Sequence, residues 1–528
     1  MPGKEKQQSK NKTEESNAEK NKSLKTIAKG SGIVFIGLVF AKFFGYLFRV
    51  IVARSLGSSI YGMYSLGFAV FSILLTISFL GMNSGVQRFI SYHRGMGKDK
   101  VRGILKSSLK VSVPLSILFS SLLVFFAPQL SVFLFNDPAM SMVLRFFGVL
   151  IPFNILKGNF NSVLVGLKKV KYQVYSSDFL HRGLKVLMVV LLVLLGFELF
   201  GVLLAFAISV LVSLVASLYY LVYRVDYFSF DRSSFSTRKL ISYSWPLVTA
   251  AIFMQIIGWT DVLMMGYFLT SSHVGIYNVA LPTALILPFF LKSISQIALP
   301  VFSELVGGGR ESELKRIYQV TTKWIFALTI PFFVVMFFFP KQLLSLLFGA
   351  EFTPAALSLS ILAASYFYYA SLGPLDKLLK SMGKTKVYAL VMGVSAVTNI
   401  TLNWLLIPVY GMVGGAIATA ASVILYSTLW LFLIYKELKI VPFTLSYVKV
   451  IFSGLVSVGI VFFGLGALFP SPTIFIYVLA FLMFLALYTV MSLIVGVLDS
   501  EDIMILLAVE RKLGVDLGFV KDVIKRVI

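Results

Sequence analysis

The chain has 528 residues, 58% of them hydrophobic and 13% charged, and its mean hydropathy is +0.89. A soluble domain holds roughly 45 to 50% apolar residues, so this composition excludes a soluble globular protein and defines a polytopic membrane protein. The net charge of +24 comes mainly from Lys and Arg in short segments between apolar runs, the pattern of positive loops facing one side of a membrane and not of a nucleic-acid-binding face, while the absence of Cys excludes disulfides, thiolate metal sites and cysteine nucleophiles.

Residues 1–29 are almost wholly polar, mix both charges and cannot bury enough surface to fold, so they are expected to be a disordered cytoplasmic tail. The apolar run behind them is too long and too interrupted by charge for a signal peptide. That run carries Lys42 and Arg49, turns at Leu56-Gly57-Ser58 and gives way to a second apolar run. Lys42, Gly45 and Arg49 are spaced three and four apart and share one helical face. Charges at membrane depth are costly, about 2.5 kcal/mol each or more, and normally face a water-filled cavity or a polar partner.

Apolar runs of helical length give about fourteen spans, near residues 31–53, 62–90, 104–126, 142–165, 173–195, 200–223, 243–268, 276–303, 320–339, 355–379, 387–407, 412–434, 448–469 and 474–497. Every second loop is basic, with Arg94, Lys98, Lys100 and Arg102 in the first such loop and Lys168, Lys169 and Lys171 in the next. The intervening loops are short and hold little more than Arg54 and Lys341. By the positive-inside rule the basic loops and both termini are cytoplasmic, and no sizeable outer domain is expected.

The chain also repeats itself. SLGSSIYGMYSLGFA after the first span answers FLTSSHVGIYNVALP after the seventh, so that Gly62 and Tyr64 fall opposite Gly275 and Tyr277. VLVGLKKVKY around Gly166 answers LLKSMGKTKVY around Gly383, and FGVLLAFAISVLV from Phe200 answers YGMVGGAIATAASVI from Tyr410. The expected architecture is an all-α polytopic membrane protein with two six-helix lobes, residues 30–223 and 241–437. A cytoplasmic linker at 224–240 joins them, two further spans occupy 438–497, and residues 498–528 form an amphipathic segment on the inner membrane surface.

Three motifs carry a family resemblance: R-x-L-G-x-x-x-Y-G-x-Y-S at Arg54 to Ser65, G-V-Q-R-F-I at Gly85 to Ile90, and S-W-P opening the seventh span, which holds Asp261. With them the chain resembles the polysaccharide transporter family, the oligosaccharide flippases of the multidrug, oligosaccharidyl-lipid and polysaccharide exporter superfamily. The resemblance covers residues 30 to about 497. It implies two lobes around a V-shaped cavity with alternating access, and a lipid-linked oligosaccharide as cargo. In the related peptidoglycan-precursor flippases, basic residues on the first helix line the cavity; Lys42 occupies a matching place, whereas Arg49 is offset by one.

The charges inside the spans supply the candidate site. Lys42, roughly 16 Å into the first span at 1.5 Å per residue, and Arg49 are read as attracting a phosphate or pyrophosphate, or as ion-paired with an intramembrane carboxylate. Arg88 is a further candidate, although snorkelling to the interface also explains it. Lys157 lies deeper. On the fifth span Asp178, His181, Arg182 and Lys185 share a face, and Asp178 and Arg182, four apart, are placed to pair. Lys292 is assigned to the same cavity. Asp261, about 22 Å from Pro246, is the one carboxylate well inside an apolar span. With Asp178 it is a candidate for Na⁺ or H⁺ coupling; a structural role as the partner of a buried cation is the other reading. No cofactor is expected: M-G-K-T at Met382 lacks the first glycine and the strand of a phosphate-binding loop, and His93, His181 and His273 have no metal-ligand spacing.

A lipid-linked oligosaccharide flippase is thus the leading reading, with membrane lipids as surroundings, a monomer as the expected state and glycan-assembly enzymes as neighbours in the plasma membrane. A Na⁺- or H⁺-driven multidrug exporter of the same superfamily is the alternative, but a cavity for cationic drugs should be dominated by carboxylates. A membrane enzyme would need a catalytic constellation in a substantial loop, and the outer loops offer none.

Overall fold

The computed structural model describes residues 36–92, 98–225, 235–464 and 476–497, which form only helices and short turns. The expected tail over 1–29, the central part of the linker over 224–240 and the amphipathic segment over 498–528 lie outside the described residues. Among the described residues ten helices are long and apolar enough to cross a membrane, or eleven if the helix pair Ser271–Ala284 and Phe289–Ser295, bent by 48°, is one span. The protein is therefore an all-helical, multi-pass membrane protein. In hydrocarbon each backbone N–H and C=O must be satisfied within its own segment, and a helix does so.

In chain order the helices are α1 (Ile36–Phe79), α2 (Met82–Tyr92), α3 (Lys98–Phe135), α4 (Met140–Gly166), α5 (Val170–Gln173), α6 (His181–Leu194), α7 (Glu198–Tyr219), α8 (Thr237–Phe268), α9 (Ser271–Ala284) and α10 (Phe289–Gly307). They continue as α11 (Glu311–Phe338), α12 (Pro340–Phe348), α13 (Ala356–Ser371), α14 (Leu375–Ser381), α15 (Thr385–Leu438), α16 (Leu445–Gly464) and α17 (Ile476–Ile494).

Length and apolarity alone count fewer spans than the fourteen expected, and the difference has local causes. α1 is broken at Gly57, whose φ of 80° and ψ of 177° leave the helical region, and α15 is broken at Gly411, with φ 56° and ψ −132°. Both positions need positive φ, which costs glycine little and other residues more. Each of these helices is thus two helices meeting at a glycine. A third case is the segment 170–194, where α5 runs through a π-helical stretch, Val174–Leu180, into α6. Its four charged residues, Lys171, Asp178, Arg182 and Lys185, set it apart from the ten apolar spans.

Contacts divide the chain into two units, Met1–Gln255 and Ile256–Ile528. The first residues of α8 belong to the first unit for visible reasons. Gly85 and Gly81 lie against Ser244, Ser107 Oγ donates to the Phe235 carbonyl at 2.8 Å, and Gln255 Nε2 donates to the Ser72 carbonyl at 3.1 Å. The core of that unit is Met82, Val86, Ile90, Ile104, Val163 and Leu221 with their neighbours. Polar contacts stitch the spans together, as where Ser108 Oγ meets Asn159 Oδ1 at 2.5 Å and Asn159 Nδ2 donates to Ser112 Oγ at 3.0 Å. Helices gain little from hiding apolar faces from lipid, so such small and polar contacts carry much of the association. In the second unit the added spans α16 and α17 pack on α11 through Phe326, Ile330, Tyr447, Phe484 and Tyr488.

Candidate functional site

The first unit gathers most of the expected cations around α1. Gly37 and Gly45 lie on the side of α1 that the 170–194 segment approaches. A Cβ at position 37 would meet Val174 at 2.5 Å, and one at position 45 would lie 3.3 Å from Arg182 Nη1. The space beside Gly45 is therefore filled by a guanidinium of the same chain. Arg182 Nη1 donates to the Ala41 carbonyl at 3.1 Å, and its Nε lies 3.8 Å from Asp178 Oδ1, an ion pair too long for a hydrogen bond. Phe40 stacks between Phe44 and Phe179, at 4.0 and 4.5 Å, and locks the same two elements together.

Lys42 is exposed, and both Arg49 and Arg182 are close enough to repel it. Arg49, half-buried, hydrogen-bonds the hydroxyl of fully buried Tyr61. Lys185 lies over the Phe48 ring at 3.8 Å and interacts electrostatically with Arg182, Arg49 and Lys157. Among the described residues five cations, Lys42, Arg49, Lys157, Arg182 and Lys185, thus share one region with a single carboxylate, Asp178. Among the described residues Lys42, Arg49, Lys157 and Lys185 make no ion pair. The group carries unbalanced positive charge in a low-dielectric setting, where an anion is bound strongly.

A buried polar network fixes the π-helical stretch that brings Asp178 and Arg182 to α1. Asn161 Nδ2 donates to Ser177 Oγ at 2.8 Å, and Asn161 Oδ1 accepts from Ser176 Oγ and Ser217 Oγ, both at 3.0 Å. Ser213 Oγ donates to the Ser176 carbonyl at 2.8 Å. A π-turn inserts one residue and rotates everything after it by about 100°, and such turns recur at functional sites.

Two expected members stand elsewhere. Arg88 is exposed and stacks on the Tyr243 ring at 4.0 Å, a contact between α2 and α8 that fits anchoring at a helix end. Lys292, near the start of α10, belongs to the second unit and is exposed.

The second unit has a site of the opposite sign. Asp261, only 3% exposed on α8, is surrounded by neutral donors. Tyr277 Oη donates to its Oδ2 at 2.9 Å, Asn403 Nδ2 to its Oδ1 at 2.7 Å, and Thr419 Oγ1 also donates to Oδ2. Asn403 Nδ2 reaches Asn399 Oδ1 at 3.2 Å, and Asn399 Nδ2 reaches Thr419 Oγ1 at 3.4 Å. Asn403 Oδ1 is buried with no hydrogen-bond partner. Among the described residues no Lys or Arg pairs with Asp261, so the reading of this carboxylate as the partner of a buried cation finds no support. An oxygen-rich shell holding one formal negative charge suits a monovalent hard cation or a proton.

Sequence reasoning found Asp261 because a carboxylate in an apolar run stands out. It missed Tyr277, Asn399, Asn403 and Thr419, which are neutral. The available signals were the i, i+4 spacing of Asn399 and Asn403 within an apolar span, and the place of Tyr277 and Thr419 in the repeat.

The fold is that of a multi-pass helical membrane protein, and the comparisons with known proteins place it in a family. The chain belongs to the polysaccharide biosynthesis protein family, whose pattern matches residues 27–306, and residues 246–405 also match the MatE family. It is 26% identical over 400 residues to the probable low-salt glycan biosynthesis flippase Agl15 of Haloferax volcanii, covering 75% of this chain and 81% of the relative. To the putative O-antigen transporter of Shigella flexneri it is 22% identical over 406 residues, covering 74% and 95%. Its fold matches the inward closed conformation of the lipid II flippase MurJ with a TM-score of 0.71 at 16% identity, over 87% of this chain and 98% of that one. This places the chain among the transporters of the multidrug, oligosaccharidyl-lipid and polysaccharide exporter superfamily, and not among enzymes.

Proposed function

We propose that the protein is a flippase that moves a polyprenyl-phosphate- or polyprenyl-pyrophosphate-linked oligosaccharide from the cytoplasmic to the outer leaflet of the plasma membrane, with both termini cytoplasmic, for assembly of a surface glycan. The observation that carries this reading is the group of five cations with one carboxylate in the first unit, which suits the anionic head of such a lipid. Lys42 and Arg182 receive the phosphate, the polyprenyl tail stays in lipid, and alternating access turns the head outward. The Asp261 network couples transport to Na⁺ or H⁺: Asp261, Asn399, Asn403 and Thr419 supply the oxygens, and the unpartnered Asn403 Oδ1 fits an additional cation ligand.

A multidrug exporter is the second reading, favoured by the match of residues 246–405 to the MatE family. Binding of the purified protein to a polyprenyl-pyrophosphate oligosaccharide and to a lipophilic cationic drug separates the two. Preference for the anionic lipid, weakened by Lys42→Ala, supports the flippase. Preference for the cation, indifferent to Lys42→Ala and sensitive to Asp261→Asn, establishes the exporter.

A further inference from the structure

Lys157, His181 and Lys185 form a second group in the first unit, less exposed than Lys42. Lys157 comes from α4, and His181 and Lys185 from successive turns of α6. The three repel one another, and Arg182 and Arg49 add to that repulsion. Lys185 is steadied by the Phe48 ring at 3.8 Å, and the His181 ring stands edge-on to Phe206 at 6.0 Å. Aromatic rings hold an ammonium in place without neutralising it. Neither lysine forms an ion pair among the described residues, since the nearby carboxylate of Asp178 is taken by Arg182. One nitrogen of His181 faces the Ser209 backbone, and the other, Nδ1, is buried with no hydrogen-bond partner. Clustered cations without a counter-charge, beside an orphaned polar nitrogen, leave a place that an anion completes.

We propose that Lys157, His181 and Lys185 are a second oxyanion subsite, which takes a second negative group on the lipid head while Lys42 and Arg182 hold the first. This rests on the flippase reading and adds a preference for doubly anionic heads. The second oxyanion is either the outer phosphate of a pyrophosphate or the carboxylate of an acidic sugar. With Nε2–H directed at the Ser209 carbonyl, Nδ1 donates to an oxyanion only when the ring carries both protons.

The test measures affinity of the full-length protein for three probes. These are a polyprenyl monophosphate carrying N-acetylglucosamine, the matching pyrophosphate, and a monophosphate carrying glucuronic acid. The wild type is expected to bind one of the two doubly anionic probes about tenfold more tightly than the singly anionic one, the size of one charge-assisted contact. The Lys157→Gln, Lys185→Gln double variant should weaken every anionic probe through the lost charge but abolish that ratio, because the preferred doubly anionic probe loses about tenfold more than the monophosphate. Which doubly anionic probe is preferred identifies the source of the second charge. No preference in wild type, or an equal loss for all probes in a folded double variant, overturns the subsite. If Lys42→Ala leaves every affinity unchanged, the flippase reading fails first, and the two failures are thereby told apart.

Discussion

Repeat-related positions of the two units carry opposite chemistry. With Tyr64 and Tyr277 in register, Asp261 falls opposite Phe48, and with Phe200 and Tyr410 in register, Thr419 falls opposite Ser209. In the second unit this frame surrounds a carboxylate with Tyr277, Asn403 and Thr419 as neutral donors. In the first it sets Lys185 above the Phe48 ring and turns His181 toward the Ser209 backbone. Both units keep the helix break and the buried tyrosine, since Gly57 and Thr270 stand opposite each other where α1 bends and α8 gives way to α9. The scaffold is thus shared, while a few side chains set the sign of each centre and with it the ion each suits.

The sharpest way to break that comparison is to remove the charge of the second unit. Asp261→Asn should lower ion-driven transport in proteoliposomes by about 100-fold, the upper range of a coupling between sites, while lipid affinity stays nearly unchanged. An equal loss of lipid affinity would merge the two centres into one. In the first unit, Arg182→Ala should weaken binding of the anionic lipid about tenfold, and Asp178→Asn should strengthen it by about threefold, because Arg182 is then released from its 3.8 Å pair. A titration with a fluorescent lipid reads both changes.

Much of this was legible in the sequence, for definable reasons. Helix class and membrane character follow from long apolar runs, and Lys42, Arg49, Lys157, Arg182 and Asp261 are conspicuous because charge is rare at such depth. The pairing of Asp178 with Arg182 followed from their spacing. What stayed hidden was neutral or geometric. Asn399, Asn403, Thr419 and Tyr277 resemble ordinary helix-packing residues until the fold closes around Asp261. A π-turn of seven residues leaves no readable period, so its rotation of Arg182 toward Gly45 could not be seen. Arg88 carries two readings in the sequence, a substrate contact or snorkelling at the interface, and it lies on the Tyr243 ring at a helix end.

Two smaller effects sharpen the account. Asn161→Ala removes the hub that ties Ser176, Ser177 and Ser217 and should cost about 2 kcal/mol of stability, read as a lower thermal midpoint. Because the π-turn positions Arg182, lipid affinity should fall with it; Asn161→Ala with full affinity would make the network purely structural. Arg88→Ala should leave transport unchanged and cost at most about 1 kcal/mol from the lost ring contact. A transport defect in that variant would return Arg88 to the substrate path.

The central claim is that the cations of the first unit carry an anionic lipid head. Its most direct test is translocation of a fluorescent polyprenyl-pyrophosphate oligosaccharide in proteoliposomes, with wild type compared to the Lys42→Ala, Arg49→Ala double variant. The account predicts exchange between leaflets for wild type and a loss of about tenfold or more in the variant. Wild-type exchange by the double variant would contradict it.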